Sequence, residues 1–283
     1  MEAKYVYEEL ENDFINPNLR DEWGKYIDEV KDFITEEFME RSMGLVCDNT
    51  NEINTVYTAV FPTKKVMRTV LGSSDGNDML FVHHPSIWDI RRAPDVFYQM
   101  DRNLLQKFRD ENISIYNLHV PLDNYSEYST SVSLAKVLGF DILKPFGEYF
   151  GSLSGVFGKT GLNSVKELKN RFEEVLGHRS SIYHYGKEEI KDGLVAVLAG
   201  GGNDVKFLKE IFEEGVNTFV TGITVKNDHS MDAHKFAEEK GINVLGGTHY
   251  STEQFACKKM CEYFEEMGLL SEFVEGTPIL EDL

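Results

Sequence analysis

Residues 55–85 read TVYTAVFPTKKVMRTVLGSSDGNDMLFVHHP. A short run rich in β-branched and aromatic residues, Thr55–Phe61, predicts a strand. Lys64–Leu71 predicts a helix, and Met79–His83 a second strand. The alternation continues down the chain. Further strands are expected at Ile113–His119, Leu153–Phe157, Ser180–Tyr185, Leu194–Ala199, Thr218–Thr221 and Asn243–Leu245. Further helices are expected at Asp95–Glu111, Glu127–Leu138, Ser164–Leu176, Val205–Glu213, Met231–Lys240 and Thr252–Met267. Strands alternating with helices define an α/β architecture. Upstream, Trp23, Tyr26, Ile27, Val30, Phe33, Ile34 and Phe38 recur at intervals of three and four. That spacing predicts one amphipathic helix over Glu22–Met43. The glycine-flanked stretches Gly139–Gly151 and Gly186–Gly193 are the weakest joints, so either could border a second domain.

Composition narrows the function. The chain has 283 residues, with 29 Lys and Arg against 48 Asp and Glu, a formal net charge of −19. Hydrophobic residues make up 41% and aromatics 12%, enough for a sizeable core and too many for a disordered chain. The acidic balance disfavours broad binding to nucleic acid, whose phosphates it repels. No apolar run approaches the roughly 18 residues of a membrane span. The opening MEAKYVYEELENDF lacks the apolar region of a secretory signal. Three cysteines, Cys47, Cys257 and Cys261, are too few for a disulfide framework and fit a reducing cytoplasm.

Three segments carry candidate chemistry. In Met79-Leu-Phe-Val-His-His-Pro85, adjacent histidines on a continuing strand would face opposite ways. Pro85 stops the ladder and lets the chain turn both toward one site. Neutral imidazole is the commonest metal ligand, so His83 and His84 read either as ligands or as satisfied polar groups. His119-Val-Pro-Leu-Asp123 can bring an imidazole and a carboxylate together, or Asp123 can simply cap a turn. In Gly246-Gly-Thr-His-Tyr-Ser-Thr-Glu253, His249 and Glu253 stand four residues apart at a helix entrance. There Ser251, with Gln254, is the expected cap. Histidines and carboxylates in three segments at strand ends exceed one tetrahedral zinc. They suit two metals sharing a carboxylate and a water. Gly200, Gly201 and Gly202 form a strand-to-helix turn that reads as a tight turn or as a phosphate contact. Gly158-Lys-Thr160 lacks the upstream glycine of a P-loop, since Leu153 stands there. Cys257 and Cys261 read as small core residues.

His-His-Pro at 83–85, His-x-x-x-Asp at 119–123 and Gly-x-His-x-x-Thr-Glu at 247–253, in this order, resemble the Nif-three-like family. Its members are dinuclear-metal proteins often described as GTP cyclohydrolase I type 2 homologues. The similarity runs from about Ile53 to Leu269, and Val197–Asn203 and Val220-Thr-Gly222 fit it too. The resemblance implies two α/β parts with the metal site at strand ends between them. Residues 1–145 would carry the first ligands. Residues 146–283 would form the second part, with a section from about 243 packing back on the first. It implies His83, His84, Asp123, His249 and Glu253 as ligands of two divalent ions, with Glu253 bridging; imidazole with carboxylate suits zinc, iron, manganese or nickel. It implies a homohexamer, a trimer of dimers. Departures are Ile223, where family members carry an acid, the long Thr224–His229 segment and the N-terminal helical stretch.

The resulting expectation is a hydrolase acting on a nucleotide or related phosphorylated small molecule, with GTP ring opening as one candidate reaction. In it His229 or His234 moves a proton and Gly200–Gly202 touch phosphate. A non-catalytic hexameric scaffold or metal store is the alternative.

Overall fold

The computed structural model describes residues 1–89 and 97–283. The first part runs α1 (Ala3–Phe14), α2 (Glu36–Arg41), β1 (Gly44–Cys47), β2 (Thr55–Ala59), α3 (Lys64–Ser73), β3 (Asp78–Val82), β4 (Ile87–Trp88), β5 (Phe97–Tyr98), α4 (Arg102–Asp110), β6 (Ile113–Asn117), α5 (Val120–Asp123) and α6 (Thr130–Leu138). The second runs β7 (Asp141–Tyr149), β8 (Ser152–Lys159), α7 (Val165–Leu176), β9 (Ser181–Tyr183), β10 (Leu194–Leu198), α8 (Val205–Glu213), β11 (Thr218–Thr221), α9 (Met231–Lys240), β12 (Asn243–Gly246), α10 (His249–Glu266) and β13 (Leu270–Phe273).

Among the described residues, two mixed sheets organise most of these elements, and β4 and β5 form a separate antiparallel pair. The first has the order β1-β6-β3-β2-β13 and the second β7-β8-β10-β11-β12-β9. In the first, β6, β3, β2 and β13 are parallel and β1 is antiparallel at the edge. Its central strands β2, β3 and β6 are buried on both faces, as parallel strands covered by helices are. Tyr57, Ala59, Leu80 and Val82 face α3, α4 and the 23–38 segment, while Val56, Met79 and Phe81 face α1 and α10. In the second sheet, Val195, Val197, Val220 and Leu245 face α6 and α7; Ala196, Leu198, Phe219 and Val244 face α8 and α9. Chain residues 270–273 return to the first sheet beside β2. Helix α10 sends Ala256, Met260 and Phe264 into the first core and lays Phe255 against the second. Burying Phe264 fully stabilises this join by roughly 1.5–3 kcal/mol.

The expected strands all form, within a residue or two at most ends. The single helix over Glu22–Met43 does not. The chain makes two 3-10 stretches, Trp23–Tyr26 and Asp28–Phe33, and then α2. Thr35 separates them: it is extended, gives its N–H to Val46 O, and caps α2 by accepting from Phe38 N. Trp23, Ile27, Val30 and Phe38 are buried all the same, because 3-10 turns also bring back the same face every three residues. The helix expected at Asp95–Glu111 starts at Arg102, where Asp101 accepts from Asn103 N and Leu104 N. Residues 95 and 96 lie outside the described residues. Within Gly139–Gly151 the chain forms β7, paired antiparallel with β8.

Candidate metal centre

The site lies where the ends of β3, β6 and β12 meet. His83 and His84 follow β3 and extend its pairing, donating N–H to Ala59 O and Val60 O. His83 Nδ1 lies 2.9 Å from Leu118 O. A carbonyl only accepts, so Nδ1 carries the proton and Nε2 turns inward. Nε2 lies 3.5 Å from Asp123 Oδ1 and 3.6 Å from Glu253 Oε1. It is buried and has no hydrogen-bond partner among the described residues. These distances are too long for hydrogen bonds and leave room for a cation between the three groups. An imidazole held by its other N–H on a carbonyl is how metal-binding histidines are usually oriented.

Glu253 is the hub. It sits in the second turn of α10, 3% exposed. Its Oε2 lies 2.9 Å from His84 Nε2 and its Oε1 lies 3.0 Å from His249 Nε2. The helix begins three residues before the expected start. Thr248, not Ser251, is the cap: Thr248 Oγ1 accepts from Ser251 N, and Ser251 Oγ accepts from Thr248 N. Ser251 therefore plays the reciprocal part given above to Gln254. Asp123 closes α5 and accepts from Thr130 Oγ1 at 2.7 Å.

Among the described residues, two groups of side chains could each hold an ion: His83, His84 and His119; and His84, His249 and Glu253. Within each, the ligand atoms lie within 4.8 Å of one another. The two groups share His84. Asp123 stands beside the first, its Oδ2 3.8 Å from His119 Nε2. His119 joins the cluster although the resemblance did not name it a ligand. Its place in the His-x-x-x-Asp segment was the available signal.

Electrostatics agree with a site built for positive charge. Burial works against Glu253's charge, but the imidazoles of His249, His84 and His83 outweigh it and hold the carboxyl well below its usual range. Burial also disfavours a charged His83, yet Glu253 and Asp123 raise it to about 9. His84 is pushed down by burial, which Glu253 does not offset. Burial raises Asp123, against His83 and His119.

A cavity of about 580 Å³ opens onto His84, His119, Asp123, His249 and Glu253. Trp23, Tyr26, Trp88, Phe97 and Tyr149 supply aromatic wall, and Lys206 lines it too. His229 is exposed at this cavity, edge-on to Trp88 at 5.4 Å. His234 is elsewhere engaged: its Nδ1 meets Tyr185 Oη at 3.1 Å and its Nε2 meets Thr224 O at 2.9 Å. That corrects the proton-transfer expectation for His234. The phosphate expectation for the glycine turn is corrected in part. Gly200 N donates to Thr252 Oγ1 and Gly202 N to Thr221 Oγ1, so these N–H groups are committed, and of the three only Gly201 lines the cavity. Gly200 has a different use. Its φ is +72°, and a Cβ there would lie 2.2 Å from Glu253 Oε1. Glycine is what lets the carboxylate sit against the turn.

Two mixed sheets with an imidazole–carboxylate cluster at their strand ends define an α/β protein with a candidate metal site. The Duf34/NIF3 (NGG1p interacting factor 3) family model matches residues 25–276, and the chain belongs to that family. A protein named GTP cyclohydrolase 1 type 2 homolog from Pyrococcus horikoshii is 28% identical over 264 residues, covering 88% of this chain and 97% of its own. The solved structure of protein ybgI superposes with a TM-score of 0.74 at 20% identity, over 99% of this chain and 100% of that one. Reduced HcgD from Methanocaldococcus jannaschii gives 0.69 at 24% identity over 98% of each chain. At these identities the two structures speak for the fold. No helix among the described residues is long and apolar enough to cross a membrane.

Proposed function

We propose that this chain is a hydrolase dependent on two divalent metal ions, acting on a nucleotide or a related phosphorylated small molecule. His83, His84, His119, Asp123, His249 and Glu253 would hold the ions, with Glu253 between them. The observation that carries the reading is His83 Nε2: buried, without a hydrogen-bond partner among the described residues, and facing two carboxylates at 3.5 and 3.6 Å. Bound divalent ions supply an activated water at neutral pH and offset charge developing on the attacked group. The rest falls to the chain's own groups. The aromatic wall excludes water and suits a planar ring. Lys206, whose Nζ lies 5.6 Å from the Tyr149 ring centroid, offers a cation to an anionic substituent. His229, which lines the cavity, would exchange a proton with solvent. Ring opening of GTP is one candidate reaction, supported by the names of the relatives.

The test is a hydrolase screen on metal-reconstituted protein, with nucleotides and phosphoesters, beside an Asp123→Asn control. Turnover lost in the control supports the reading. Tight metal binding with no turnover favours a metal store or scaffold. The cavity opening onto His119, Asp123 and His249 argues against that alternative, because a purely structural site is usually closed. We further propose a homohexamer, which light scattering on dilute protein checks; a monomer would remove that model and leave the ligand set standing.

A further inference from the structure

His119 meets two partners at one nitrogen. Asp21 Oδ2 lies 2.8 Å from its Nδ1, and Trp23 Nε1 lies 2.9 Å from the same atom. Their demands are opposite. An indole N–H only donates, so it needs a bare Nδ1. An ionised carboxylate only accepts, so it needs Nδ1–H. A neutral imidazole carries one proton, so each partner selects one tautomer. With Trp23 satisfied, the proton sits on Nε2. With Asp21 satisfied, Nε2 is bare, and Nε2 is the atom that faces Asp123 Oδ2 at 3.8 Å.

Neither partner is a loose surface group. The Asp21 side chain is 4% exposed. It accepts from Glu22 N at 2.7 Å and lies 3.4 Å from Val120 N. Trp23 is 7% exposed, and its ring stands edge-on to His119 and to Phe97, each at 5.3 Å. Trp23 opens the first 3-10 stretch, and Asp21 lies two residues before it.

We propose that Asp21 and Trp23 form a tautomer selector for His119, in which Asp21 makes the imidazole a metal ligand and Trp23 opposes that state. The proposal rests on the metal reading above for its functional meaning. A cation at Nε2 needs that atom bare. Loading therefore requires the ring proton on Nδ1, toward Asp21, at the expense of the Trp23 hydrogen bond. Asp21 is thus a positioning residue, and Trp23 a brake on affinity.

Cobalt(II) alone, titrated into metal-free full-length protein and followed by its visible absorption, tests this. Asp21→Ala should bind 10- to 100-fold more weakly, the usual loss when a ligand histidine's outer partner is removed. Its absorption bands should shift as His119 leaves the ligand set. Asp21→Asn, whose amide oxygen still accepts from Nδ1–H, should recover most of the affinity. Trp23→Phe should bind at least as tightly as the parent. A merely structural role predicts weaker binding in Asp21→Ala and Trp23→Phe alike, and that outcome, or unchanged binding in Asp21→Ala, overturns the proposal. If the parent itself takes up no cobalt, the metal reading fails. The selector is then judged on nitrogen-15 NMR of the metal-free proteins. His119 should carry its proton on Nε2 in Asp21→Ala and on Nδ1 in Trp23→Phe; one tautomer in both overturns it.

Discussion

Glu253 and Asp21 are both buried carboxylates beside imidazoles, yet they are held in different ways. Glu253 projects from α10, whose first turn is locked by the reciprocal Thr248–Ser251 cap. It sits against Gly200 and touches His84 and His249 directly. Asp21 precedes a 3-10 stretch of four residues and touches one imidazole. The core of the site stands on regular elements anchored in both sheets, and its edge stands on an irregular strap. Changes at the core should therefore abolish cation binding, while changes at the edge should only tune it.

The largest effect falls on Glu253. Its loss removes the carboxylate that faces His83, His84 and His249 together. Two cations a few ångströms apart repel strongly in a partly desolvated site unless a carboxylate lies between them. Glu253→Gln keeps the shape and helix propensity and should lose at least one metal per chain by elemental analysis. Full occupancy in this variant would refute the contrast between core and edge.

Protonation gives the next effect. His83 in the folded, metal-free protein is raised from 6.5 to about 9. A raised histidine contributes stability that is fully present below its unfolded value and lost as pH rises through its folded one. The window is therefore roughly 6.5 to 9. A divalent ion must displace the same proton, so apparent affinity should climb with pH across that window, by at most about tenfold per unit for one proton, and flatten above it. Competition titrations against a chelator at several pH values measure the slope. A flat profile would mean that His83 is not proton-loaded when metal-free.

Smaller still is Gly200→Ala. The backbone there is left-handed, which costs a non-glycine residue roughly 1–2 kcal/mol. The new methyl would also meet Glu253 Oε1 at 2.2 Å, and a carboxylate held by imidazoles cannot swing away freely. Chemical denaturation should show the stability loss, and metal content should fall with it. A loss of stability with full metal content would separate the turn from the carboxylate.

Legibility in the sequence followed the same division. His83 and His84 stood out because an apolar strand ended in His-His-Pro, and Glu253 because it lies one helical turn after His249. The alternating strands gave the α/β class. The 22–43 stretch misled because α and 3-10 turns share a spacing near three, so buried Trp23, Ile27 and Val30 look alike in either. Asp21 carried no signal at all: its partner His119 is 98 residues away, and only the tertiary fold brings them together. β7 escaped because Lys144, Pro145 and Gly147 break any alternation. β13 escaped because Leu270, its first residue, is 73% exposed.

The smallest effect belongs to the cap that aims Glu253. Thr248 Oγ1 accepts from Ser251 N at 3.0 Å, satisfying one of the free N–H groups of the first turn. Replacing a capping threonine by alanine costs about 1 kcal/mol, so Thr248→Ala should lower the denaturation midpoint of metal-free protein modestly. Thr248→Ser, which keeps the hydroxyl, should restore it. Metal content should stay near that of the parent, because the helix start has a second anchor: His249 N donates to Asp282 Oδ2 at 2.9 Å. Asp282 brings the last residues of the chain against the site, where Thr224 and Val225 also donate to its carbonyl. Helix α10 is thus held at its entrance by two independent groups, and removing one leaves Glu253 in place. If Thr248→Ala instead empties the site as fully as Glu253→Gln, the cap belongs to the core of the site rather than to its support, and the line drawn between the two regions moves outward by one turn.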